Sequence, residues 1–175
     1  LLLIIVALLP TLTYVYTVIQ LGNPFGNLDI GSTVGSYTGL LFLAATYTSI
    51  GLFTSTLSKN QIVAFILGVF IMFFFFYGFD AIANLFTNNS YTVQKFGMNE
   101  HFKSISRGVI DTRDMLYFIS LSIFFLVLTK NQLRNAKKTS TIVILLIAIL
   151  LINAIGSSFY KRFDITKDKR YTVTE

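Results

Sequence analysis

Long stretches with almost no charge alternate along this chain with short polar ones. About 20 consecutive apolar residues carry an α-helix across hydrocarbon, and five stretches qualify, the fourth being the shortest. The first runs from Leu1 to about Leu21, with Pro10 in its middle. A membrane helix tolerates that proline because neighbours re-satisfy the carbonyl it frees, and a kink is predicted there. Gly22-Asn23-Pro24 stops the helix, and Gly22 to Ser36 reads as a loop. The second span runs from about Tyr37 to Leu57 and the third from Gln61 to about Phe79. The turn between them, Ser58-Lys59-Asn60-Gln61, is so short that the two form an antiparallel hairpin, with Ser58 and Gln61 at capping-box spacing. Phe73 to Phe76 point all round a helix, as lipid and helix contacts require.

The longest polar stretch, Asp80 to Asp114, comes next. Within it Phe102, Ile105, Val109 and Ile110 fall at helical spacing, which predicts an amphipathic helix on the membrane face. The fourth span is about Met115 to Thr129, reaching Leu133 if Lys130 snorkels; the fifth is about Ser140 to Phe159. The pattern therefore predicts an all-α fold, a polytopic transmembrane helix bundle of five spans. Leu1 already lies inside an apolar run, without the charged start or cleavage site of a signal peptide. The expectation is a chain that begins partway through a longer protein.

Composition agrees with lipid as solvent. Only 13% of residues are charged against 54% apolar, and mean hydropathy is +0.68. Soluble domains carry about a quarter charged residues, so much of this surface is covered by lipid. The net charge of +6 lies outside the apolar runs, where Lys and Arg flank spans and meet anionic head groups; no nucleic-acid partner is implied. Cysteine is absent, which excludes disulfides and thiolate chemistry.

Few residues suggest chemistry. Gly31, Gly35 and Gly39 recur every fourth position, a spacing that lets another backbone approach closely, unless Gly31 merely belongs to the loop. Thr46, Tyr47, Thr48 and Ser49 make the middle of the second span polar. They either line a translocation path or bond helix carbonyls and neighbouring helices. His101 is the one histidine, which excludes a His-based metal site within the chain, and it reads as interfacial or solvated. No catalytic, cofactor or metal site is expected, and no phosphate-binding loop occurs. Asp29 and Asp80 sit at span ends, so no acid stands near the membrane midplane, and any transport is driven from outside these spans.

Alternation of spans puts Lys59 and the basic connector Lys130, Arg134, Lys137 and Lys138 on one side of the membrane. The two longer loops and the tail fall on the other. The connector favours the cytoplasm for its side, while Lys161, Arg162, Lys167, Lys169 and Arg170 in the tail pull the opposite way; charge alone leaves the orientation open.

Charged, irregular loop motifs are more specific than apolar helices. Gln20-Leu21-Gly22-Asn23-Pro24, Gly26-Asn27-Leu28-Asp29, Gly31-Ser32-Thr33-Val34-Gly35-Ser36-Tyr37, Asn60-Gln61-Ile62-Val63-Ala64-Phe65 and the run from His101 to Asp114 together resemble one family. It is the permease subunit of gliding-motility-associated ABC transporters of Bacteroidetes (GldF-type, ABC-2 type permeases). The resemblance covers about residues 1–134. Phe159 to Thr166 and Asp168 to Thr172 resemble the start of the GldG-type auxiliary subunit, which has a membrane anchor followed by an extracytoplasmic domain. The departure from both families is their fusion in one chain, joined near Asn135-Ala136.

The resemblance implies the last four helices of a six-helix permease in residues 1–134. Residues 135–175 would be the anchor and the start of the auxiliary domain. It implies a multi-pass protein of the bacterial inner membrane, with membrane lipid, a second permease copy, the auxiliary subunit and a cytoplasmic ABC ATPase as partners. ATP and Mg would sit on the ATPase, and no cofactor in this chain. The connector would be cytoplasmic and the tail periplasmic. The alternative is a non-transporting scaffold for motility or secretion machinery. A membrane enzyme would need a His, Asp and Ser constellation at membrane depth, and is not expected.

Overall fold

Four helical stretches of the computed structural model are long and apolar enough to cross a membrane. The structure describes residues 2–22, 29–85, 93–134, 144, 147–149, 151 and 161–164. Helix α1 is Leu2–Leu21 and runs through Pro10 without interruption. Helix α2 is Ile30–Leu57. The third crossing is composite: α3 (Gln61–Phe73) passes through a π-helical turn, Phe74–Gly78, into α4 (Phe79–Leu85). A short α5 (Met98–Ser106) and a strand β1 (Val109–Asp111) precede the fourth crossing, α6 (Thr112–Leu133). The expected fifth span, about Ser140 to Phe159, lies mostly outside the described residues. The chain is a helical membrane protein.

Local chemistry explains where these elements depart from expectation. The glycine-rich start of α2 reads as loop because glycine is a poor helix former. Asp29 nevertheless caps the helix, its carboxylate accepting from Ser32 N–H at 3.3 Å. With 28 residues, α2 is about 42 Å long at 1.5 Å per residue, so its first turns project past a hydrocarbon layer of about 30 Å. The cap of α3 also differs: Asn60 accepts from Ile62 N–H at 2.9 Å, and Ser58 accepts from Asn60 N–H at 3.1 Å, which replaces the expected Ser58–Gln61 box.

The amphipathic helix is present but shorter than its apolar spacing implied. Gly108 takes a positive φ of 85°, which ends the helical run before Val109 and Ile110. Those residues pair instead with β2 (Arg162–Asp164), antiparallel, with Ile110 opposite Phe163. This small ribbon corrects the expectation of a purely helical chain. It also returns Arg162 to the end of the bundle at which α6 begins.

The core is the seam between α2 and α6. Phe42 stacks on Phe118 with ring centroids 6.4 Å apart, and Phe53 meets Phe125 at 5.8 Å. These contacts climb both helices in the same direction, so α2 and α6 are parallel. Ile50, Phe118, Leu121 and Phe125 are buried between them. α3 lies antiparallel on α2, close enough at Gly68 that a Cβ there would come within 3.0 Å of Thr54 Oγ1. The π turn lets both Phe75 and Phe79 face inward, Phe75 edge-on to Phe125 at 5.5 Å and Phe79 against Phe96 at 6.2 Å. α1 stands apart, joined to α2 by a hydrogen bond between Thr11 Oγ1 and Tyr37 OH at 2.7 Å. An apolar crevice of about 270 Å³ separates the two helices.

α5 closes one end of the seam. A Cβ on Gly35 would collide with the Ile105 carbonyl and come within 2.9 Å of Gly108 Cα. Ser32 and Ser36 both donate to the Ser106 carbonyl, at 3.0 and 3.2 Å. Backbone therefore meets backbone here. Gly35→Ala is expected to cost about 1–3 kcal/mol through overpacking. Gly51→Ala, whose Cβ meets Met72 Cε at 3.8 Å, is expected to change little. Thermal unfolding of the detergent-solubilised protein separates the two, and equal behaviour would refute the close approach.

Candidate functional site

Polar side chains inside a membrane bundle need partners within the protein, because hydrocarbon supplies none. Two groups of buried polar residues meet that need, one along the α2–α6 seam and one beneath α5.

In the seam, Thr46 is fully buried. Its Oγ1 lies 3.0 Å from the Phe42 carbonyl and 3.0 Å from Ser122 Oγ, joining α2 to α6. Ser49, also buried, donates to the Thr46 carbonyl at 2.7 Å, and half-buried Thr48 donates to Ala44 at 2.7 Å. Tyr47 packs against the core cluster. Gly31, Gly35 and Gly39 are buried on α2, and α5 covers the last two, Gly39 within 3.2 Å of the Phe102 ring by its virtual Cβ. Lys59, Lys130 and Arg134 are exposed at the opposite end of the bundle. Lys137 and Lys138 lie outside the described residues.

The second group was not anticipated. His101 is buried rather than interfacial, 7% exposed, and Asp114 is fully buried. His101 Nδ1 lies 2.7 Å from Asp114 Oδ1, and Nε2 lies 2.8 Å from the Lys95 carbonyl. The ring stacks on Tyr117 at 4.0 Å between centroids, 18° from parallel, and Tyr117 OH donates to the Phe96 carbonyl at 2.6 Å. Asp111 caps α6 by accepting from Arg113 N–H at 3.0 Å. The Arg113 guanidinium sits 3.8 Å from Asp111 Oδ2 and 3.6 Å from Asp114 Oδ1. Asp80, on α4, accepts from Asn99 Nδ2 at 2.6 Å, so α4 is tied to α5 as well.

Asp114 lies in the first turn of α6, where the positive helix end favours a carboxylate. Asp80 Oδ1, Asp111 Oδ2 and Asp114 Oδ2 are buried without a hydrogen-bond partner among the described residues. These acids do not converge: among the described residues no three of His, Cys, Asp or Glu are placed to hold a metal. Both ring nitrogens of His101 are engaged, so the ring has no free nitrogen to activate a nucleophile in this arrangement. What the cluster does is fasten. It binds the turn at Lys95–Phe96, α5, α4 and α6 to one another.

Sequence spacing hid this group. The hydroxyl nearest to His101 at helical spacing is Ser104, three positions on, whereas its partner lies beyond the Gly108 turn. A legible signal existed in Asp111-Thr112-Arg113-Asp114, charged residues abutting an apolar run with one histidine just upstream. Comparison of the chain with protein-family models, curated proteins and solved structures gives no match.

Asp114→Ala leaves the buried His101 without its side-chain partner, while partly exposed Arg113 keeps Asp111, and is expected to cost about 3–5 kcal/mol. Tyr117→Phe orphans one carbonyl and is expected to cost about 1–3 kcal/mol. Denaturant titration in micelles measures both, and a loss at Tyr117 equal to or above that at Asp114 would contradict this ranking.

Proposed function

We propose that the chain is the permease component of a gliding-motility-associated ABC transporter of the ABC-2 type, in the inner membrane of a bacterium of the Bacteroidetes. The observation that carries this reading is the resemblance of the loop motifs to that family. Its longest motif, His101 to Asp114, is also the stretch from which the α5 cap, β1 and the start of α6 are built. Four apolar crossings agree with the last four helices of such a permease.

Charge supports an orientation. Among the described residues, the end bearing Lys59, Lys130 and Arg134 carries cations without acids, and we assign it to the cytoplasm. The capped end then faces the periplasm. The fifth span gains support from β2. A 22-residue α6 carries Leu133 about 33 Å from β1, yet Arg162 pairs with Asp111 beside the start of α6. That placement fits an anchor helix of the auxiliary subunit, fused near Asn135-Ala136.

In the proposed mechanism two permease copies form the pathway and a separate cytoplasmic ATPase, holding ATP and Mg, biases the bundle between two arrangements. α1 and α3 are the faces available for the second copy, since none of the α1 span and 6% of the third is buried within the chain. One observation favours the rival reading of a non-transporting scaffold: the seam hydroxyls Thr46 and Ser49 are spent on helix contacts.

The full-length protein purified from its own membranes is expected to bring down an ABC ATPase in stoichiometric amount. Recovery without any ATPase would end the proposal. Disabling the ATPase's hydrolytic residue separates the readings, because a transporter then loses function while a scaffold keeps it.

A further inference from the structure

We infer that His101 and Asp114 form a proton-binding site, and that the bound proton latches α5 onto α6. The hydrogens available to the pair carry this inference, independently of the transport reading. A neutral imidazole has one N–H and one bare nitrogen. The Lys95 carbonyl, 2.8 Å from Nε2, can only accept, so Nε2 carries a hydrogen. Nδ1 then faces Asp114 Oδ1 at 2.7 Å. A neutral ring against an ionised carboxylate would set two lone pairs against each other at that distance. The pair therefore holds one proton more than neutral histidine plus carboxylate, on the line between Nδ1 and Oδ1.

The surroundings suit this arrangement. With the extra proton the pair is neutral overall, as burial demands of charges withdrawn from water. The Tyr117 ring, stacked at 4.0 Å, offers its π face to an imidazolium. The ionisable groups packed around the pair come from every neighbouring element. Arg113 and Asp111 stand at the start of α6 and Tyr117 one turn on; Asp80 reaches across from α4 to Asn99. Lys95 precedes α5, and Glu100 and Lys103 pair with each other at 3.7 Å on the outer side of α5. No other histidine exists in the chain.

The site is placed to move structure. The ring sits on α5, one bond reaches the turn at Lys95 and the other reaches the membrane helix α6. Losing the proton forces one of these bonds to break, and the cap keeps only its ties to α2 at Ser106 and to α4 at Asn99.

The test uses the chain in lipid nanodiscs at one fixed pH. Proton and ¹⁵N signals of the single histidine ring report whether a proton lies between Nδ1 and Oδ1, and hydrogen exchange of amides 98–106 reports whether the cap is closed. The wild type is expected to show the strongly downfield signal of that shared proton while amides 98–106 are protected. Asp114→Asn is the informative variant, because its side-chain amide can donate to the bare Nδ1 of a neutral ring. It keeps the bond without the extra proton, so it is expected to lose the downfield signal and keep the protection. The same ring signals in the two proteins would overturn the proposal. So would a protected wild-type cap with no proton between Nδ1 and Oδ1, a result the wild-type signals give even if the variant fails to fold.

Discussion

A hydroxyl or carboxyl drawn into hydrocarbon has no water to turn to, and each must find its partner in the protein. That constraint organises this chain. Thr46 meets Ser122 across the α2–α6 seam, and the seam is the core. Where the seam ends, the polar stretch that follows the third crossing cannot hang free over it. It folds down as α5 and places His101 and Asp114 together, with both ring nitrogens satisfied. The apolar packing gives the bundle its bulk, but the paired polar groups fix which helix faces which. Gly35 is where the two requirements meet, since only a missing Cβ lets the Ile105–Gly108 turn reach the serines of α2.

The crossings were legible because lipid demands a length and an apolarity that few other structures share. Their ends were less so. The start of α2 hides behind glycines that disfavour helix in isolation, although Asp29, its cap, stood in view. Val109 and Ile110 carry the right spacing for a helix and still form a strand, because Gly108 turns the chain and a partner arrives from Arg162–Asp164. No local rule anticipates a partner so far along. His101 is the clearest case. Reading outward from it along the sequence finds Ser104, while the residue that meets it sits on the far side of a reversal. The polar face of the second span was visible, and the structure assigns its hydroxyls specific carbonyl and hydroxyl partners.

The family resemblance supplies the proposal of an ABC permease and its partners. The structure supplies an asymmetric object, with bare cations at one end and a fastened cap at the other. A cap that closes the seam on one face is the sort of element a transporter would move and a scaffold would keep still. The proton held by His101 and Asp114 gives that element a chemical handle in either case.

All of this rests on which ends of the helices share a side of the membrane. The chain has no cysteine, so single cysteines can be introduced without a background. Asn60, Lys103, Gln132 and Lys161 are all exposed, the first and third at one end of the bundle, the second and fourth at the other. Labelling of each cysteine variant in sealed vesicles with a membrane-impermeant maleimide, from either side, reads the arrangement directly. The account predicts that positions 60 and 132 react from one side only, and positions 103 and 161 only from the opposite side. Labelling of position 161 from the same side as position 132 would contradict it.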